Sequence, residues 1–142
     1  MSEVTTSIDI AAPPEAVWDV VMDPERLGDW VTIHRKLEDH DDHSMRQVLC
    51  LRGVSFHVNW ELATSDRPHR AVWKGKGPAR SKAETEYTLS PSGDGTRFGY
   101  RNEFKAPLGP LGAAASAALV GGVPEREANA SLQKLKALLE NG

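Results

Sequence analysis

The sequence predicts an α+β fold in which a seven-stranded, curved antiparallel sheet wraps around a long C-terminal helix. Three observations carry this prediction. One strand and two short helices open the chain, about six segments of alternating apolar and polar residues follow, and the longest helical pattern closes it. Alternating strands give a sheet one wet face and one apolar face. The last helix is the element long enough to cover that apolar face.

The opening elements are marked by prolines. Alternation predicts a half-buried strand over Val4–Ile10. Pro13-Pro14 ends it, because proline cannot continue a hydrogen-bonded ladder, and Pro14 suits the first turn of a helix. Asp23-Pro24 breaks this helix, and the segment from Pro24 to Trp30 is predicted as a second short helix.

Turn residues separate the strands that follow. The second strand begins near His34, and the polar run Leu37–Ser44 is predicted as a loop or hairpin tip. Period-two alternation and turn signals then predict five strands, separated by turns at Gly53, Ser65–Pro68, Gly77-Pro78 and Ser90–Gly95. These strands centre on Arg46–Leu51, Phe56–Leu62, Arg70–Lys76, Ala83–Leu89 and Phe98–Phe104.

The closing helix is predicted over Ala113–Glu140 and has two unlike halves. Small residues fill its first half, and Gly121-Gly122-Val123-Pro124 interrupts it. This interruption is a candidate gate for a cavity. The second half has a conventional core face of leucines, among them Leu132 and Leu135.

Length and composition restrict the class of protein. The 142 residues predict one domain, spanning 1–142. The net charge of -3 argues against nonspecific nucleic-acid binding, and no DNA partner is expected. One cysteine excludes an intramolecular disulfide, and no apolar run approaches a membrane span or a signal peptide. These features predict a cytoplasmic protein.

Several motifs resemble one superfamily. They are Ile8-x-Ile10-x-Ala12-Pro-Pro-x-x-Val17-Trp, Asp23-Pro24 before a short helix ending in Trp30, Gly95-Thr-Arg at the last strand, and Leu132-x-x-Leu135-Lys. Over the whole chain the pattern resembles the START-like, Bet v 1-like (SRPBCC) superfamily, in particular its small bacterial branch of polyketide cyclases/dehydrases and lipid-transport proteins. The resemblance implies a helix-grip fold, with a cavity between sheet and helix.

The predicted cavity wall combines aromatic residues with a few polar tips. A concave apolar wall of this kind suits a small hydrophobic ligand. For any single side chain, filling the core is the favoured interpretation, whereas for the set as a whole a cavity is favoured. The predicted wall residues are Trp30, Phe56, Val58, Trp60, Trp73, Thr85, Tyr87, Phe98, Tyr100, Asn102, Phe104, Leu111, Ala115 and Leu119.

Catalytic chemistry has four candidates: His34, Tyr87, Tyr100 and Asn102. A histidine near neutrality can act as general acid or base, but no partner carboxylate can be assigned to His34 from the sequence. No nucleophilic triad, phosphate loop or dinucleotide fingerprint is present, so no cofactor is predicted.

Three further features allow both a structural and a functional interpretation, and the structural one is favoured for each. His40-Asp-Asp-His43 is read as a solvated turn rather than a metal site, because successive ligands on one tip have poor mutual geometry. Cys50 is expected to be buried and inert. A basic run is expected to form a wet sheet face paired with Glu84, Glu86 and Glu103, with anion or partner binding as the alternative. It comprises Arg67, His69, Arg70, Lys74, Lys76, Arg80 and Lys82.

Three functions remain open from sequence. The leading hypothesis is a carrier or binder of a lipid, isoprenoid or polyketide-like aromatic. The second is a cyclase/aromatase-type enzyme that steers proton transfers in a shaped pocket. The third is an interaction or toxin role, because Trp30–Arg35, Pro107–Gly112 and the alanines that follow resemble a sub-branch that includes toxins of toxin–antitoxin pairs.

Overall fold

The computed structural model describes residues 2–51, 53–77, 80–105 and 123–141. After the first strand come two short helices, separated by a 3-10 turn over Pro24–Arg26, and the last element is a longer helix. The strands are β1 Ser2–Ile10, β2 His34–His40, β3 Ser44–Leu51, β4 Val54–Asp66, β5 Arg70–Lys76, β6 Lys82–Ser92 and β7 Gly95–Lys105. The helices are α1 Pro14–Val21, α2 Leu27–Trp30 and α3 Val123–Asn141.

All seven strands form one antiparallel sheet in the order β1-β7-β6-β5-β4-β3-β2. Strands β2 to β7 are a meander, and β1 joins it by pairing with β7. Helix α3 packs on β1 and α2. The predicted helix-grip architecture is therefore confirmed, although the stretch 113–122 of the predicted last helix and Gly121-Gly122 of the candidate gate lie outside the described residues.

Three predicted loops are shorter than expected. β2 continues to His40 and β3 begins at Ser44, so most of the predicted tip is strand. The alternation that would have marked β2 is broken, because register shifts fall between His34 and Lys36 and again after Leu37. β4 likewise runs to Asp66 and β6 to Ser92, since polar residues are tolerated where a hairpin leaves the core.

The burial pattern of helix α1 explains the proline and the apolar residues of the opening motif. Pro14 occupies its first turn, and Val17, Trp18, Val20 and Val21 are buried. Beyond it, Asp23 accepts a hydrogen bond from the backbone N–H of Glu25 and caps the 3-10 turn. This arrangement delivers Trp30, which is 1% exposed, into the core beneath the sheet.

The core lies between the inward face of the sheet and the three helices. Its centre includes Ile10, Val17, Phe98, Leu132 and Leu135, all of which are essentially buried. Leu132 and Leu135 are among the leucines predicted for the core face of the last helix. Among the described helices, none is long and apolar enough to cross a bilayer.

Candidate functional site

The inward face of the sheet carries every described strand residue of the predicted wall. Cross-strand pairing joins Leu62 to Trp73, Trp73 to Thr85 and Thr85 to Asn102, and it joins Tyr87 to Tyr100 in the next row. Directly opposed residues share a face, so the alternation in the sequence identified this face correctly. Leu111, Ala115 and Leu119, the remaining predicted wall residues, lie outside the described residues.

One part of this wall is a closed aromatic cluster. The ring of Trp30 meets Tyr87 edge-on at a centroid distance of 5.9 Å and Phe98 at 6.3 Å. Tyr87 also lies 5.4 Å from Phe98 and stacks on Tyr100 at 6.2 Å. Edge-to-face pairs of this kind are favourable beyond the area they bury. Trp30, Tyr87 and Phe98 therefore help to fill the core.

Another part of the wall is less closed. Phe56, Tyr100, Asn102 and Phe104 are all partly exposed, although they share the inward face with fully buried neighbours. Thr85 donates a hydrogen bond to Asn102 Oδ1 over 3.2 Å, which leaves the Asn102 amide N–H group available. These side chains combine apolar surface with hydrogen-bonding groups.

A hydrogen-bonded relay crosses three strands at the β2–β4 corner of the wall. Trp60 Nε1 on β4 donates to Gln47 Oε1 on β3 over 2.9 Å. Gln47 Nε2 lies 2.8 Å from His34 Nδ1 on β2. Gln47 is 4% exposed and Trp60 is 7% exposed, so the relay is set into the apolar wall. We call Trp60, Gln47 and His34 the polar relay.

The polar relay fixes the tautomer of His34. An indole nitrogen can only donate, so the amide atom that faces Trp60 must be the oxygen of Gln47. The amide nitrogen of Gln47 then donates to His34 Nδ1. Nδ1 must accept, and the ring proton of neutral His34 is on Nε2. That Nε2–H group has no hydrogen-bond partner within the described residues.

Burial lowers the pKa of His34 below its usual value of 6.5. The bond from Gln47 acts in the same direction, because protonation at Nδ1 would place two donors face to face. At neutral pH His34 is therefore an uncharged ring with one free donor. Burial also raises the pKa of Tyr87, and it raises that of Tyr100 to about 12, so both phenols stay protonated.

Local backbone features place the polar relay. His34 lies directly opposite Leu49, an inward residue of β3, and a register shift of β2 follows it. Gly75 lies opposite Trp60, and a Cβ atom there would lie 2.8 Å from the indole ring and from Val58. Because Gly75 has no side chain, the indole ring of Trp60 can pack over β5. A Cβ on Gly28 of α2 would meet His34 Cδ2 at 3.5 Å, so α2 closes on the imidazole edge.

The side chain of Trp30 adds a second unpaired donor. Its Nε1 is the sole buried side-chain polar atom without a hydrogen-bond partner in the described part of the chain. A buried donor without a partner is costly and is rare in native structures. Trp30 was predicted as a wall residue, and this N–H gives it a polar group that a ligand oxygen or water can satisfy.

Gln47 is the residue that the sequence analysis missed. It occupies an inward position between Met45 and Leu49, both of which are buried. The signal was present, because an amide at an apolar position of an alternating strand needs hydrogen-bond partners. Its partners come from two other strands, and the register that brings them together cannot be read from Gln47 itself.

The other sequence candidates have structural roles. Asp41 accepts hydrogen bonds from the backbone N–H groups of His43 and Ser44 in the β2–β3 turn, which lowers its pKa. No three potential metal ligands come together within the described residues. Cys50 was expected to be buried, but it lies on the outward face of β3, partly exposed, with Arg35 Nη2 at 3.5 Å.

The predicted basic run divides into two parts. Arg67 pairs with Glu15 and Asp19, and Arg70 pairs with Glu86. Lys74, Lys76 and Lys82 make no ion pair within the described residues, contrary to the expected pairing with glutamates. Those glutamates are instead held by Arg101, which contacts Glu84, Glu86 and Glu103.

The sheet and its packed C-terminal helix define a helix-grip protein. The chain belongs to the polyketide cyclase/dehydrase and lipid transport family, whose sequence profile matches residues 1–140. The resemblance noted from the sequence is thereby confirmed.

Relatives and solved structures share this fold. "Uncharacterized protein Rv1546" of Mycobacterium tuberculosis is 32% identical over 131 residues, covering 87% of this chain and 92% of its own. "Toxin Rv0910" of the same species is 25% identical, covering 88% and 92%. The Zhui aromatase/cyclase of a Streptomyces species superposes with a TM-score of 0.77 at 16% identity, over 99% of this chain and 94% of its own. At that identity the likeness concerns the fold.

Proposed function

We propose that this protein binds a small hydrophobic ligand between the inward face of the sheet and the C-terminal helix. A lipid, an isoprenoid or a polyketide-like aromatic has the required chemistry. Membership of a family described by polyketide cyclisation and lipid transport supports this proposal. The partly exposed aromatic side chains of Phe56, Tyr100 and Phe104 on an otherwise buried face support it further.

The polar relay is the observation that carries the proposal furthest. It gives both polar atoms of the buried Gln47 amide a hydrogen bond and leaves the Nε2–H of His34 without a partner in the described residues. A neutral donor in an apolar wall suits a carbonyl or hydroxyl oxygen better than a carboxylate, because it supplies no compensating charge. The ligand we propose is therefore mainly apolar and carries such an oxygen.

The first experiment is native mass spectrometry of the protein purified from its own host, followed by organic extraction. We expect a discrete hydrophobic molecule with at least one hydroxyl or carbonyl group. Phe104→Asp is expected to lose it, because a charge at the inward face disfavours an apolar ligand. Val54→Asp is the matched control, since Val54 is 55% exposed at the start of β4.

A displacement assay tests ligand binding even when the natural ligand is lost during purification. Displacement of the fluorescent probe 1-aminoanthracene by fatty acids, prenols and fused-ring phenols gives relative affinities for wild type and His34→Phe. Loss of the donor is expected to weaken binding of the oxygenated competitors about tenfold. An empty protein that also fails to bind the probe contradicts the proposal, as does equal affinity of both proteins for every competitor.

A cyclase or aromatase activity is the second candidate function. The features that favour it are a neutral histidine with a fixed Nε2 proton and two protonated phenols, Tyr87 and Tyr100. Such groups can donate protons or hydrogen bonds to a developing enolate, and Asn102 can orient the chain. Turnover of a poly-β-ketone substrate that falls in His34→Gln would support this activity. Undiminished turnover after replacement of all four groups excludes their catalytic role.

A toxin-like interaction role is the third candidate, and it is supported by the relative named as a toxin. Its test is growth arrest upon expression, relieved by the product of a neighbouring gene. Normal growth under strong expression counts against it.

We further propose that residues 1–142 act as one ligand-binding domain in the cytoplasm, without a cofactor. Proteolysis tests the first statement, since a single resistant fragment is expected and two separable fragments would contradict it. Fractionation of host cells tests the second.

A further inference from the structure

Two neighbouring rows of side chains cross the outward face of the sheet. The first row, from β3 to β7, contains Ser44, Glu61, Lys74, Glu84 and Glu103, each directly opposite the next. The second row, two residues along each strand, contains Arg46, Asn59, Lys76, Lys82 and Lys105. The first row mixes both signs of charge. The second has no acidic member from β3 to β7, and its next position, beside Arg46 on β2, is Asp39.

The three consecutive lysines of the second row are unusual. We call Lys76, Lys82 and Lys105 the lysine row. Lys82 lies directly opposite both of the others, and all three are exposed. Directly opposed residues have Cβ atoms roughly 5 Å apart, and like charges in this position destabilise a sheet. The three ammonium groups therefore repel one another.

The nearest carboxylates do not neutralise the lysine row. Glu84 and Glu103 are adjacent to it, but Arg101 holds them at 2.7 Å and 3.0 Å. This triple contact raises the pKa of Arg101, so the guanidinium remains charged. Among the described residues no acidic side chain forms an ion pair with any of the three lysines.

The lysine row borders an open depression of about 660 Å³. Its lining consists mainly of outward residues, among them Lys74, Lys76, Lys82 and Lys105. The remaining lining residues, Trp60, Gly75, Ala83 and Phe104, occupy inward positions of the same strands. The depression is large enough for a multi-oxygen anion together with part of the molecule that carries it. Flexible lysine stems can turn their ammonium groups toward one such anion.

We propose that the lysine row is a binding site for a phosphate group, either free, on a soluble ester or on a lipid headgroup. A phosphate monoester carries between one and two negative charges at neutral pH and accepts several hydrogen bonds. It would neutralise the mutual repulsion of three ammonium groups at once. The three lysines occupy outward positions of their strands, whereas the wall of the proposed ligand site occupies inward positions.

The test compares two triple variants of equal charge. The row variant is Lys76→Gln/Lys82→Gln/Lys105→Gln, and the control is Arg35→Gln/Lys36→Gln/Lys134→Gln, which removes three exposed basic residues outside the depression. Inorganic phosphate and pyrophosphate are titrated against each protein by heteronuclear NMR. Vesicles of phosphatidylcholine with and without phosphatidic acid test the lipid source by flotation.

We expect saturable shifts at the backbone amides of the lysine row in wild type and control. Affinity in the row variant is expected to be at least about tenfold weaker. Phosphate should also raise the unfolding midpoint of wild type and leave that of the row variant unchanged. Flotation only with phosphatidic acid would assign the lipid source, and shifts only with the soluble probes would assign a free phosphate or ester.

Three results overturn the proposal. They are equal weakening in both triple variants, which indicates unspecific charge attraction; no saturation by any phosphate probe; and binding only to a single-stranded RNA oligomer, which indicates a nucleic-acid surface instead. Removal of Lys82 alone gives an independent check. Lys82→Gln is expected to be slightly more stable than wild type at low salt, because repulsion within the row is relieved.

Discussion

Two regions of the inward face differ in how their side chains are satisfied. In the packed region, around Phe98 and Leu135, apolar groups meet other apolar groups and both residues are 0% exposed. In the polar relay, Trp60, Gln47 and His34 hydrogen-bond to one another, and the Nε2–H of His34 has no partner in the described residues. The packed region stabilises the fold. The polar relay has a hydrogen-bonding capacity that the described fold does not use.

The largest expected effect is on the packed region. Phe98→Ala removes a fully buried ring from contact with Trp30 and Tyr87, and should lower the free energy of unfolding by about 3–5 kcal/mol. Phe104→Ala, at a partly exposed inward position, should cost less than about 2 kcal/mol. Urea denaturation measures both. Equal losses would mean that the wall is packed alike throughout.

The glycine beneath the indole ring of the polar relay is the next target. Gly75→Ala places a methyl group 2.8 Å from Trp60 and Val58, and overpacking of this kind costs about 1–3 kcal/mol. Gly28→Ala is the control, since its nearest neighbour, His34 Cδ2, would be at an ordinary contact distance. The first variant should also shift the Trp60 indole resonance. If both substitutions prove neutral, Trp60 does not lie over β5 as described.

Breaking the amide at the centre of the polar relay should cost a similar or slightly smaller amount. Gln47→Leu keeps the volume but leaves the N–H of Trp60 without its acceptor, a loss of about 1–3 kcal/mol. Gln133→Leu on the exposed side of α3 is the control and should be near neutral.

A second substitution at the same position sharpens the comparison. Gln47→Glu still accepts from Trp60, but its carboxylate favours a protonated His34. The pKa of His34 is therefore expected to rise in this variant, as measured by NMR titration. An unchanged pKa would show that Gln47 does not contact the imidazole.

The smallest effect is the pH dependence that His34 contributes. Its pKa is lowered in the folded protein from 6.5, so the unfolded chain binds the proton more readily. The stability that His34 contributes is fully present above pH 6.5 and is lost as the pH falls through the lower folded pKa. Thermal unfolding between about pH 5.5 and 7.5 should show this slope in wild type and a flatter one in His34→Gln. Identical slopes would assign the slope to other groups.

The sequence predicted much of the fold because its signals are local. Alternation assigned the inward face of β4 to β7, and the proline and aspartate signals placed both short helices. The prediction failed where a contact depends on register. Two register shifts interrupt the alternation of β2, so most of that strand was predicted as a loop. The site shows the same division. His34 was identified as a candidate by its residue type. The role of Gln47 is visible only in the fold, where it hydrogen-bonds to Trp60 and His34.

The most direct test of the proposed ligand site is a heteronuclear NMR titration with 1-naphthol, an apolar probe that carries one hydroxyl group. Trp60 and Trp18 provide separate indole N–H resonances, the first in the polar relay and the second on the buried face of α1. We predict that the resonances of Trp60 and the His34 imidazole shift saturably, with the His34 proton on Nε2, while Trp18 is unaffected. Shifts at Trp18 alone, no saturable shift anywhere, or a His34 proton on Nδ1 would contradict the account.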